Sequence, residues 1–258
     1  GVKLFAGSST GNLLVDKESD IEKVISSSDR IISIHSEDEE IIKLRKKFIK
    51  KGDVHSHPEW RNVECAISST RRVVKIAERY NKKIHVLHVT TKDEVDFLAM
   101  HKKNVTFETT PQHLTLYAPD CYDKLGTYAQ MNPPLRSKEH YDRLWVAIKN
   151  NIVDVLGSDH APHLKVDKDK TYPETPSGMP GVQTIFPVMI DHVNNGKLTL
   201  NQLINLMCEN PCRIFGIKNK GFIKEGFDAD LTIVDMNKEV IIKNEMIASK
   251  CGWTPFHN

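Results

Sequence analysis

The stretch "IVDVLGSDHAPH", residues 152–163, passes within a few positions from an apolar run to a polar cluster, and that passage decides the fold. Ile152, Val153, Val155 and Leu156 are β-branched or aliphatic, and Gly157 and Ser158 close the run, which reads as a buried strand ending in a turn. Asp159 then stands at the C-terminal end of that strand, the edge where parallel α/β folds bind ligands and do chemistry. Four more strand-length stretches, "GVKLF", "RIISIH", "KIHVLHV" and "VTFETT", are separated by long amphipathic segments such as "NVECAISSTRRVVKIAERY" at 62–80. Strands alternating with helices imply parallel pairing through right-handed crossovers, so the fold class is α/β.

A (β/α)8 TIM barrel needs eight strands, and five can be counted here. The chain also starts inside an apolar run and stops at "GWTPFHN", which predicts an internal portion of a longer protein. That portion would lack about three strands on its N-terminal side and some sequence at its C-terminus. Residues 1–215 are assigned to this partial barrel. Within it, "TYPETPSGMPGVQT" at 171–184 reads as an irregular loop over the pocket mouth, followed by two or three helices to about Phe215. The pattern then changes: "GFIKEGFDADLTIVD" and "EVIIK" read as two short strands joined by a turn. Residues 216–258 are accordingly assigned to part of a small flanking β-domain and a C-terminal segment.

Composition narrows the function classes. With 36 Lys and Arg against 34 Asp and Glu, spread along the chain, there is no electropositive footprint for nucleic acid or an anionic membrane. No apolar run approaches the ~20 residues needed to span a bilayer, and a cytoplasmic enzyme with a small-molecule substrate is expected. Cys65, Cys121, Cys208, Cys212 and Cys251 are odd in number and scattered, which suits reduced thiols better than a disulfide framework. Cys208 and Cys212 in "CENPC" lack the second ligand pair of a zinc knuckle.

The chemistry emerges when the strand ends are compared. "GVKLF" carries Lys3, "RIISIH" ends in His35, "KIHVLHV" carries His88 near its end, and "VDVLGSD" ends in Asp159. Singly, each has a bland reading: a strand-capping or core histidine, a snorkelling lysine, a helix-capping aspartate. Jointly they deliver an amine, two imidazoles and a carboxylate to one rim. His55, His57, His85, His101, His140, His192 and His257 lie in loops, on helices or mid-strand and read as structural or solvated.

Seven motifs in order, "GVKLFAGSSTGNLLVD", "HSEDE", "HVLHVTTKDEV", "TPQHL", "MNPPLR", "GSDHAPH" and "GFIKEGFDADLTIVD", resemble the dihydroorotases of the amidohydrolase superfamily over nearly the whole chain. The resemblance implies a metal-dependent barrel with a small β-domain that interconverts dihydroorotate and N-carbamoyl-aspartate in pyrimidine synthesis. It further implies His35 and His88 as ligands of one metal, and Lys3 as a carboxylated lysine bridging two Zn²⁺ ions. Asp159 would be both ligand and catalytic acid/base, with Asn132, His163, Ser177 and Gly178 holding substrate. A homo-oligomer, dimer or tetramer, is expected on the same ground.

Elementary chemistry is consistent with those assignments. Imidazole nitrogen and carboxylate oxygen suit Zn²⁺ at ~2.0 to 2.2 Å. An ammonium repels cations, so Lys3 can serve only after losing a proton and adding carbon dioxide to form a carbamate. Paired metals lower the pKa of a shared water towards ~7, and Asp159 would then relay its proton to the leaving ring nitrogen. His160 follows Asp159 directly and is expected to turn away into a structural role, whereas His163 faces substrate. The family's first-strand His-x-His and the arginine after it are absent, so this chain alone is expected to be inactive. A related cyclic amidase, hydantoinase or allantoinase, would share the ligands and differ in the pocket; "MNPPLR" with "DHAPH" favours dihydroorotase. A non-catalytic scaffold is the remaining alternative, and the retained Lys3, His35, His88 and Asp159 argue against it.

Overall fold

The computed structural model describes residues 1–9 and 11–258. The expected strands form: β1 Val2–Phe5, β2 Ile32–His35, β3 Ile84–Val86, β4 Val105–Thr109 and β5 Val155–Leu156. They make one parallel sheet in the order β1-β2-β3-β4-β5, each strand reaching its neighbour through a helical crossover, as in the wall of a barrel.

Period-2 alternation sorts the two faces of this wall. Leu4, Ile32, Ile34, Ile84, Val86, Val105 and Phe107 point outward into the main apolar core and are at most 2% exposed. Their alternates form the inner face, and the register Lys3↔Ser33↔His85↔Thr106 lines up polar residues at one level of it. Phe5 pairs with His35 one step nearer the C-terminal rim.

The covering helices begin where local chemistry starts them. Asn62 accepts from the Cys65 amide and opens Val63–Arg79, whose Val73, Val74, Ile76 and Ala77 pack on the sheet. Thr91 and Glu94 form a reciprocal capping box at the start of Lys92–Ala99. Lys138–Lys149 and Ile185–Asn194 add Leu144, Trp145, Ile148 and Met189 to the same core. Beyond them, Leu200–Ile204 runs through a π-helical stretch, Asn205–Glu209, into Asn210–Phe215.

The expected strands within 221–243 are a correction. No ladder forms there among the described residues, and Ile223 and Ile233 are 94% and 98% exposed. A two-stranded ribbon is marginal in water unless its apolar face is covered, and among the described residues Ile223 and Ile233 are left exposed. Residues 171–184, in contrast, follow the irregular path their Pro and Gly content predicts.

Candidate active site

His35, His88 and Asp159 stand at or just beyond the C-terminal ends of β2, β3 and β5, whereas Lys3 sits mid-strand in β1, level with Ser33 and two residues short of Phe5, which pairs with His35. His35 and His88 meet: Nδ1 of the first and Nε2 of the second lie 2.9 Å apart, with the rings edge to face. His88 adopts φ 37° just past β3, a left-handed conformation that is costly for a residue with a side chain. Both rings are buried, at 1% and 3% exposure. Burial lowers both pKa values, most strongly that of His88, where the neighbouring His35 adds to the effect. The pair is therefore neutral, the form that binds metal.

Behind His35 lies a fully buried acid and base that the sequence did not single out. Glu37 Oε2 stands 3.1 Å from His35 Nε2, so the carboxylate faces the ring nitrogen that is turned away from His88. Arg61 donates to Glu37 through Nε at 3.2 Å and Nη2 at 2.5 Å, and also to the Ser8 carbonyl at 2.6 Å. Burial alone would raise the Glu37 carboxyl; the Arg61 guanidinium and His35 override it and hold it well below the usual range. Arg136, from "MNPPLR", donates to the Arg61 carbonyl at 2.5 Å and braces this arrangement.

Lys3 and Asp159 are linked by charge. The Lys3 ammonium sits 4.8 Å over the Phe5 ring. Burial lowers its pKa, and Asp159 and Glu108 pull the other way. Asp159, at φ 40°, has its carboxyl pushed up to about 6 by burial, against the Lys3 charge and with that of Glu108. Gly157 makes room for Glu108: a Cβ at that position would stand 2.3 Å from the Glu108 Oε1 atom. Glu108 also reaches His85 Nε2 at 3.2 Å, so His85, read from sequence as structural or solvated, is a buried inner-face residue.

The predicted substrate residues fall into two groups. His163 Nε2 lies 3.1 Å from the Ser177 carbonyl, and Gly178 packs against both His163 and Ala161, so these three form one shelf. Asn132 is held separately, its Oδ1 3.1 Å from Nε2 of the buried His57. His160 is exposed, and its Nδ1 accepts from the Gly181 and Val182 amides of the loop at 3.1 and 3.4 Å.

The donor set bears on a metal. The two facing nitrogens, His35 Nδ1 and His88 Nε2, stand at hydrogen-bond distance, 2.9 Å, on neutral rings at adjacent strand ends, while the nitrogens on the far side of each ring, His35 Nε2 and His88 Nδ1, are buried without hydrogen-bond partners. That fits two ligands of one ion. Among the described residues no three His, Cys, Asp or Glu side chains gather closely enough to enclose it, so the pair needs Lys3 and Asp159, or groups from elsewhere, to complete a site.

Residues 18–252 match the Amidohydrolase family. The chain belongs to the amidohydrolase family. Among curated relatives, it is 38% identical over 256 residues to the dihydroorotase of Pyrococcus furiosus, covering 98% of this chain and 56% of the relative. It is 35% identical to that of Methanosarcina acetivorans, over 98% of this chain and 57% of the relative. Among solved amidohydrolase structures, the L-hydantoinase (dihydropyrimidinase) of Arthrobacter aurescens superposes with a TM-score of 0.94 at 28% identity, covering 99% of this chain and 60% of that one. The dihydropyrimidinase of Brevibacillus agri gives 0.79 at 28% identity, over 88% and 52%. The chain thus spans somewhat more than half the length of these relatives, and its parallel sheet is part of an amidohydrolase TIM barrel, as the sequence predicted. No helix among the described residues is long and apolar enough to cross a membrane.

Proposed function

We propose that these residues serve a dihydroorotase, which closes and opens a cyclic ureide between N-carbamoyl-aspartate and dihydroorotate. One observation carries the proposal: His35 and His88, neutral and buried, turn nitrogen to nitrogen at adjacent strand ends, in a chain whose relatives include dihydroorotases at 38% and 35% identity. His35, His88, Lys3 as its carbamate and Asp159 would hold the metal, two Zn²⁺ in the reading preferred here. Bound there, it would supply a water acidified towards neutrality and a Lewis acid for the ring carbonyl.

The chain's own residues do the remainder. Asp159 takes a proton from the attacking water and gives it to the departing ring nitrogen, and reverses both transfers in the closing direction. Burial pushes the Asp159 carboxyl up from its ordinary value before any metal binds, and a bound cation would draw it back down, so the relay rests on its position beside the reacting groups. His163, Ser177 and Gly178 offer a shelf of imidazole and backbone polar groups to the ring edge, and Asn132, braced by His57, offers its amide. A rigid shelf matters because misplacement by about 1 Å costs roughly 10²-fold in rate.

A hydantoinase is the second reading, favoured by the superposition on the Arthrobacter aurescens enzyme. The full-length protein, freed of metal with a chelator and reloaded with Zn²⁺, separates the two. Metal-dependent turnover of dihydroorotate far above that of unsubstituted hydantoin is expected. Preference for hydantoin overturns the substrate assignment, and turnover that survives metal removal overturns the site. A cytoplasmic location and a homo-oligomeric state complete the proposal.

A further inference from the structure

Lys168 is a buried lysine that the chemistry above does not use. It ends the short helix Lys165–Lys168, is 0% exposed, and has no acidic partner among the described residues. Its ammonium donates to the Gln130 carbonyl at 3.1 Å and to the Pro176 carbonyl at 2.9 Å, and lies 5.8 Å from the centre of the Trp253 ring. Both acceptors belong to the shelf. Pro176 immediately precedes Ser177, and the Gln130 carbonyl also accepts from the Gly178 amide at 2.9 Å. The Gln130 side chain donates to the Thr175 carbonyl at 2.9 Å and to Ser177 Oγ at 3.0 Å. Trp253 donates to the His163 carbonyl at 2.7 Å, so the far wall of the shelf meets the same lysine environment.

We propose that Lys168 is a positioning residue for substrate, tying the Pro176 and Gln130 carbonyls together so that Ser177 and Gly178 are held at a fixed height beside His163. The physical argument is one of substitution. A buried lysine without a counter-ion is an expensive way to fill volume, and a methionine would fill it without desolvating a charge. What only the amine supplies is a pair of N–H donors at the end of a long arm, reaching two carbonyls on separate segments. Either protonation state retains two N–H groups, so the tie does not depend on charge. Without the amine those carbonyls lose their shared donor and the loop is free to shift by the fraction of an ångström that substrate binding senses. This inference rests on the shelf being the substrate site.

The test uses the full-length, metal-loaded protein with Lys168→Met and Lys168→Gln. Lys168→Met is expected to raise KM for dihydroorotate about 10-fold, roughly the effect of losing one or two hydrogen bonds, with kcat within about threefold and metal content unchanged. Amide exchange across 175–181 should quicken in the same variant. Lys168→Gln keeps an N–H donor on a shorter arm and should fall between the two; it decides the matter on the same readouts if Lys168→Met does not fold. Faster exchange with unaltered KM makes Lys168 a purely structural tie and overturns the proposal, as does unaltered exchange. A parent enzyme that turns over no cyclic ureide sinks the functional reading instead, and the exchange measurement still judges the tie.

Discussion

Replacing Gly178 by alanine probes the shelf with a single methyl group. The residue has φ +140°, where a side chain adds about 1–3 kcal/mol of backbone strain. An added Cβ would also stand 2.5 Å from the Ala161 Cβ and 3.1 Å from His163 Nε2. Carbon atoms pack best at about 3.5–4.0 Å, so the loop must retreat by about 1 Å or Ala161 must give way, at an overpacking cost of about 1–3 kcal/mol. Ala161 is poorly placed to move, because its amide donates to the Met179 carbonyl at 2.9 Å and so ties it to the same loop. The strain is therefore relieved by displacing Ser177 and Gly178 relative to His163, which loosens the 3.1 Å contact between His163 and the Ser177 carbonyl. A shift of that size costs roughly 10²-fold in productive binding. Steady-state kinetics on the full-length variant should show KM for dihydroorotate raised 10- to 100-fold with bound metal unchanged. Thermal melting should show a loss of about 2–4 kcal/mol, less than the sum of strain and overlap because the loop relaxes. A destabilised variant with the parent's KM would refute the reasoning, since the loop would then be a plain surface connection.

Other substitutions separate the remaining roles. Lys3→Ala should lose at least one bound metal per chain by elemental analysis, and unchanged stoichiometry removes the bridging role. Asp159→Asn should keep the fold and lower kcat by ~10² to 10⁴, the usual contribution of a positioned proton-transfer group; near-normal turnover contradicts it. His160→Ala removes the acceptor of the part-buried Gly181 amide and leaves the exposed Val182 amide to water, and should reduce stability by about 0.5–1 kcal/mol with little change in KM, checked by melting alongside kinetics. Burial holds Lys168 at about 7 in the folded state against an ordinary value of 10.5, so between those values the unfolded chain binds more protons and stability rises with pH. The stability of the parent minus that of Lys168→Met should therefore climb by up to about 1.4 kcal/mol per pH unit from pH 7 towards 10, and a flat difference rules out a titrating buried amine.

What could be read from the sequence follows from what a local pattern can encode. The strands were legible because Ile32, Ile34, Val105 and Phe107 alternate with polar residues, and alternation states directly which side chains share a face. The rim residues were legible for a related reason: parallel sheets use the C-terminal edge, and His35, His88 and Asp159 each lie at or just past a strand's end, although Lys3 proved to sit mid-strand in β1. Glu37 and Arg61 were not, because their pairing spans 24 residues and joins a strand end to a loop that no periodicity connects. His57 and Asn132 are 75 apart, and nothing in "DVHSHPEW" announces that its second histidine will brace the asparagine of "MNPPLR". Lys168 was hidden by its surroundings, since in "HLKVDKDK" a lysine among charges reads as a solvated face, yet it is the one turned fully inward.

The C-terminal segment shows the converse limit. "GFDADLTIVD" alternates as regularly as the barrel strands do, and the same rule that succeeded at β2 failed there, because periodicity specifies which residues share a face and not whether anything covers it. Ile34 is sealed by helices and Ile233 is not. Only fifteen or so residues farther on, where alternation is absent, "CGWTPF" is anchored: Cys251 and Trp253 are 3% and 2% exposed, and the Trp253 indole donates to the carbonyl of His163. A single aromatic with a satisfied N–H thus docks this end of the chain where a patterned stretch of strand-like sequence does not. Because that anchor ends on His163, the candidate substrate shelf is braced by Trp253, a residue outside the unladdered stretch 221–243.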